Sequence, residues 1–72
     1  MMIRFNDLRI PFHRLALGTV LIDPDDTRYL KLLAENLESR WVQHTDLFTQ
    51  TATSDTTMRA MVGDGEGWKV LP

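Results

Sequence analysis

The longest coherent pattern of apolar and polar positions runs from Asp23 to His44, DPDDTRYLKLLAENLESRWVQH. At about 100° per residue, Tyr29, Leu30, Leu33, Ala34, Leu37 and Trp41 fall within an arc of roughly 140°, the width of a buried helical stripe. Arg28, Lys31, Glu35, Glu38 and Ser39 lie opposite. Asp23 suits the N-cap and Pro24 the first helical position, while Asp25 and Asp26 meet the positive end of the helix dipole. The spacing therefore predicts one amphipathic helix from Pro24 to about Gln43. Leu32 and Val42 fall outside the arc, among charges, as apolar side chains free to meet a partner.

On either side of this stretch the pattern shortens to a period of two. Ile3, Arg4 and Phe5 begin an alternation that Asn6 and Asp7 interrupt, and Leu8 to Phe12 resume it in the opposite register. A slip of one residue reverses the buried face, so the break predicts a turn or bulge. Pro11 cannot donate to a ladder and belongs at an edge. Leu15 to Ile22, LALGTVLI, is rich in β-branched residues and predicts a second strand. Thr49, Thr51 and Thr53 alternate with Gln50 and Ala52, which fits either a solvated strand or a polar loop, and Ser54 with Asp55 predicts a turn. MRAMV and WKVLP flank GDGEG, the pattern of a hairpin whose glycines supply positive φ. The resulting class is α+β: a single amphipathic helix packed on a small antiparallel sheet, formed by an N-terminal strand pair plus a C-terminal hairpin. Residues 1–72 read as a single small domain, without internal repeat or linker.

Composition narrows what such a domain does. It has no cysteine, so neither disulfides nor a thiolate metal site reinforce a core that 72 residues make small. No apolar run approaches about 18 residues and no leader pattern is present, which predicts a soluble, cytoplasmic protein without membrane contact. Net charge is −2, unevenly spread. Residues 1–22 hold Arg4, Arg9 and Arg14 against Asp7, a net +2, and the remainder holds five basic and nine acidic residues, a net −4.

The segment RLALGT, residues 14–19, followed within about ten residues by RYLKL, residues 28–32, resembles the opening of short phage-encoded orphan proteins. In those proteins a leucine, a glycine–threonine turn and an aromatic–x–lysine strand build a small β-barrel. The resemblance implies that Tyr29 to Leu32 are extended and that the helix shrinks to Leu33 to His44. It also implies a phage or mobile-element protein that binds a host factor, and no catalytic residue.

Each chemical constellation has a simpler explanation. Asp23, Asp25 and Asp26 would begin a calcium loop, but Arg28 stands where a glycine is needed and Ala34 where a bidentate acid is needed. His44 and Asp46, with His13 far away in the chain, make only a partial metal site, and two histidines without a third defined ligand lead to no metal being expected. GDGEG places Asp64 and Glu66 where a phosphate would sit. No serine occupies a nucleophile turn, and Glu35 and Glu38 lie on a polar face. The expectation is a non-catalytic protein without cofactor: a protein-binding regulator, of the adaptor or inhibitor kind, acting on host machinery such as the transcription apparatus. Arg4, Arg9, Arg14, Leu32, Val42, Trp68 and Lys69 are its candidate partner-binding residues. The alternative is a small nucleic-acid-binding domain using Arg4, Arg9 and Arg14 with Phe5 or Phe12 on a sheet. A structural subunit of a homo-oligomer is a third reading.

Overall fold

The computed structural model describes residues 1–33, 38–43 and 52–72. Among the described residues, six strands form one antiparallel sheet: β1 (Ile3–Arg4), β2 (Val20–Ile22), β3 (Arg28–Leu33), β4 (Ser39–Gln43), β5 (Ala52–Ser54) and β6 (Lys69–Leu71). Their spatial order is β1-β6-β2-β3-β4-β5, so the last strand inserts between the first two. One helix, α1 (Asp55–Val62), precedes β6. The fold is mixed α+β, with sheet rather than helix as its larger part.

The predicted helix over residues 24–43 is corrected to the β3/β4 hairpin, in register from Tyr29↔Gln43 to Leu33↔Ser39. Read at a period of two, Tyr29 and Lys31 point to one side and Leu30 and Leu32 to the other. The six apolar positions of the presumed stripe satisfy a helical wheel by composition alone, because RYLKLL is apolar on both strand faces. Ala34, Leu37 and His44 lie outside the described residues. Asp23 caps a turn instead of a helix: its Oδ1 accepts from the backbone N–H groups of Asp25 at 2.9 Å and Thr27 at 2.8 Å. Asp26 takes φ 68°, a left-handed conformation that aspartate tolerates better than most residues.

The predicted N-terminal strand pair is corrected: β1 and β2 are both present, shorter than expected, but each pairs with β6 and not with the other. Leu8 to Phe12 form no strand. The break at Asn6 and Asp7 is a 3-10 turn (Phe5–Asp7), and a second one (Phe12–Arg14) follows Pro11. The C-terminal hairpin is also corrected. MRAMV ends α1, because Ser54 accepts from the N–H of Thr57 at 3.2 Å as an N-cap and Met58 and Val62 make a buried i, i+4 pair. The helix stops at Gly63, φ 60°. Of the predicted strand pair only the second half holds, as β6 (Lys69–Leu71) within WKVLP, and it pairs with β1 and β2. Gly65 permits that route: a Cβ there would collide with Asn6 and Phe5. Thr53 lies in β5, whereas Thr49 and Thr51 lie outside the described residues.

Leu21, Tyr29, Trp41 and Val70 on the inner sheet face join Leu15, Met58, Val62 and Trp68 in one buried cluster. Phe5, Leu8 and Phe12 pack against it from the N-terminal segment. The helix packs on β4 and β5 on this side, through Met58 and Val62.

Candidate functional site

Strand register fixes what the other side carries. Residues paired across antiparallel strands project to the same face. Leu71, Val20, Leu30, Val42 and Ala52 therefore form one transverse row across five strands. Beside it runs a second row, Arg4, Lys69, Ile22 and Arg28, and on the far side Leu32 aligns with Arg40 and Ser54. The outer face is thus an aliphatic band between two basic margins. Ile22 is buried at 2% exposure between its two basic neighbours, Val20, Leu30, Val42 and Leu71 are half-buried, and Leu32 keeps 43% of its surface exposed. Arg4 reaches Asp7 at 3.3 Å and Arg40 reaches Glu38 at 2.7 Å. Arg28 and Lys69 form no ion pair among the described residues.

Of the seven predicted partner-binding residues, Arg4, Leu32, Val42 and Lys69 converge on this face. Arg9 and Arg14 are exposed on the N-terminal segment instead. Trp68 is removed from the set. It is buried and stacks on Tyr29, with ring centroids 5.9 Å apart, and so closes the core. Arg28 and Arg40 were missed because a helical phase scatters them, whereas a period of two aligns them with Leu30 and Val42.

The inner face holds a charged centre that the sequence reading also missed. Lys31, assigned to a polar helical face, is only 3% exposed. Its Nζ donates to the Leu15 carbonyl at 2.7 Å, lies 3.9 Å from Asp55 Oδ2, and stands 5.8 Å from the centre of a Trp41 ring. Trp41 Nε1 in turn donates to Asp55 Oδ1 at 2.6 Å. The ammonium is therefore compensated on three sides and shielded from any substrate, which makes it a structural tie between the N-terminal segment, the sheet and α1.

A second polar contact ties the turn ahead of β3 to the core. Asp23 Oδ2 accepts from the Tyr29 hydroxyl at 3.1 Å. Burial raises the Tyr29 pKa above its ordinary value, and the Asp23 hydrogen bond with the charges of Asp23 and Asp25 adds to the rise. Among the described residues no three of His, Cys, Asp or Glu approach closely enough to hold a metal ion. His13 is exposed, and His44 and Asp46 lie outside the described residues. No described helix is long and apolar enough to cross a membrane.

What the arrangement offers among the described residues is a surface: the outer sheet face, aliphatic at its centre with Arg4, Lys69 and Arg28 on one side and Arg40 on the other. Comparison with family models, curated proteins and solved structures finds no match to this chain.

Proposed function

We propose that the protein is a small non-catalytic binding module whose outer sheet face docks on an acidic, partly apolar surface of a larger protein. The observation that carries this reading is the aliphatic band of Val20, Leu30, Leu32, Val42 and Leu71 between Arg4, Lys69 and Arg28 on one side and Arg40 on the other. Apolar area supplies affinity, and the margins steer and orient the encounter. The concrete form is an adaptor or inhibitor of the phage type, acting in the cytoplasm on host machinery such as the transcription apparatus. That form rests on the resemblance of RLALGT and RYLKL, and the strand geometry of RYLKL supports it.

The nucleic-acid alternative needs aromatic rings free to stack on bases. Phe5 and Phe12 pack instead against the core, 6.4 Å apart, and Phe12 lies 5.6 Å from Trp41. Affinity capture from host extract with the wild type, Leu32→Ser/Lys69→Glu and a control on the helix, Arg59→Glu, tests the proposal. The expected result is a protein retained by wild type and control and lost with the outer-face variant. Tight, salt-sensitive binding of random single strands by the same face, with no protein retained, would overturn it.

A further inference from the structure

The chain between β1 and β2 is held to the rest of the fold mainly at its two ends. Phe5 N–H donates to the Trp68 carbonyl at 2.8 Å, and at the other end Gly18 N–H donates to the Lys31 carbonyl at 2.9 Å. Across residues 8–17 the backbone bonds are local: Leu8 N–H reaches the Phe5 carbonyl, Arg14 N–H that of Pro11 and Leu15 N–H that of Phe12. Among the described residues, one hydrogen bond ties this stretch to a strand, from Lys31 Nζ to the Leu15 carbonyl at 2.7 Å. Its apolar grip is equally narrow. Leu15 is buried and Leu8 and Phe12 are half-buried, while Ile10 and Leu17 stay 52% and 53% exposed. A groove of about 410 Å³ runs between Leu8, Ile10 and Leu17 and the strand residues Ile3 and Val70, so the packing beneath the stretch is incomplete. Gly18, at φ 90° and with no atom within 4 Å of where a Cβ would sit, lets the chain turn there without displacing a neighbour.

We infer that residues 8–17 form a strap that lifts from the inner sheet face as one unit while the six strands stay paired, with Lys31 as its latch. A segment with few buried side chains and few bonds to its surroundings opens at a lower free energy than the strands it covers. Lifting breaks the bond from Lys31 to Leu15 and draws the Phe12 ring from Trp41, 5.6 Å away in the closed state. No strand ladder is broken, because the strap belongs to none of them. Lys31 then keeps Asp55 at 3.9 Å and the Trp41 ring, and its ammonium meets water. The device turns a shielded cation on the inner face into an accessible one and leaves the outer face as it is.

Two measurements on the full chain test this. Native-state hydrogen exchange in low urea compares Arg14 and Leu15, whose amides are bonded inside the strap, with the amides of β2, β3 and β6. The strap amides should be less protected by about tenfold or more, with a smaller urea slope, because lifting exposes less surface than unfolding. Ile22, 2% exposed on the outer face, stays packed in the sheet whether the strap is down or lifted. Ile22→Val should therefore speed exchange of the strand amides by about two- to tenfold and leave Arg14 and Leu15 unchanged. Lys31→Met should speed Arg14 and Leu15 by about five- to thirtyfold, the loss of one hydrogen bond from a charged donor. Amine acetylation is the second measurement. Lys31 should label from the folded protein at a rate that Ile22→Val leaves unchanged, with exposed Lys69 as the reference. The inference is overturned if Arg14 and Leu15 share the urea slope of the strand amides, or if Lys31→Met leaves them unmoved. It is equally overturned if Ile22→Val speeds them, or Lys31 labelling, as much as it speeds the strands.

Discussion

Replacing Asp55 by Ala should destabilise the fold more than replacing Lys31 itself, because the first change strands a buried charge and the second removes one. In Asp55→Ala the Lys31 ammonium keeps the Leu15 carbonyl at 2.7 Å and the Trp41 ring, but loses its counter-charge at 3.9 Å. Trp41 Nε1, on a fully buried side chain, loses its acceptor at 2.6 Å. Breaking a buried ion pair by removing one partner costs about 3–5 kcal/mol. Orphaning a buried donor costs about 1–3 kcal/mol. The Asp55 side chain is 31% exposed, so water screens part of the ionic loss and the two costs overlap. A total of about 2–4 kcal/mol follows, against a stability of about 4–11 kcal/mol for a chain of 72 residues.

Asp55→Asn should cost about half as much, since an amide oxygen can still accept from Trp41 while the charge is gone. Lys31→Met leaves the Leu15 carbonyl without its donor but leaves Asp55 partly exposed to water and still accepting from Trp41 Nε1, so it should cost less than Asp55→Ala, about 1–2 kcal/mol. Urea melts followed by circular dichroism give the three midpoints, and an unchanged slope shows that the denatured state is unaffected. If Lys31→Met proved as damaging as Asp55→Ala, the pair would be a net source of stability and the reasoning would fail. If Asp55→Ala were neutral, the described contact between strand and helix would not exist in solution.

Two further outcomes test the sheet. Leu21→Ala, at a fully buried position of the inner face, should cost about 2–5 kcal/mol, whereas Leu32→Ala on the outer face should cost less than about 1 kcal/mol; equal costs in a urea melt would contradict the assignment of faces. The raised pKa of Tyr29 gives a pH signature. Its protonated form is favoured by folding, so this contribution is complete below the unfolded tyrosine value of about 10 and is lost as pH rises through the folded value. Thermal melts from pH 8 upward should therefore show an alkaline decline that Tyr29→Phe reduces, and an unchanged decline would reject the assignment.

How much of this was legible in the sequence depends on the length scale of each signal. Turn chemistry read well where it spans a few residues: the break at Asn6 and Asp7 and the positive φ of Gly63, Gly65 and Gly67 are present, whereas Asp23, read as a helix N-cap, closes a turn ahead of β3. Periodicity read poorly where a strand is apolar on both faces. RYLKLL carries Tyr29 inward and Leu30 and Leu32 outward, so the alternation that marks a half-exposed strand is absent. Lys31 deepened the error, because a lysine between leucines signals a solvated position unless its counter-charge is known, and that charge, Asp55, lies 24 residues away. The site followed the same logic. Arg4 and Lys69 are direct strand partners although they stand at opposite ends of the chain, a pairing that exists only because β6 enters between β1 and β2. Charge counting found a basic N-terminal third. The fold divides that third, sending Arg4 to the outer sheet face and leaving Arg9 and Arg14 exposed on the N-terminal segment. A sum over residues cannot report such a division, because the long-range pairing of β6 decides it.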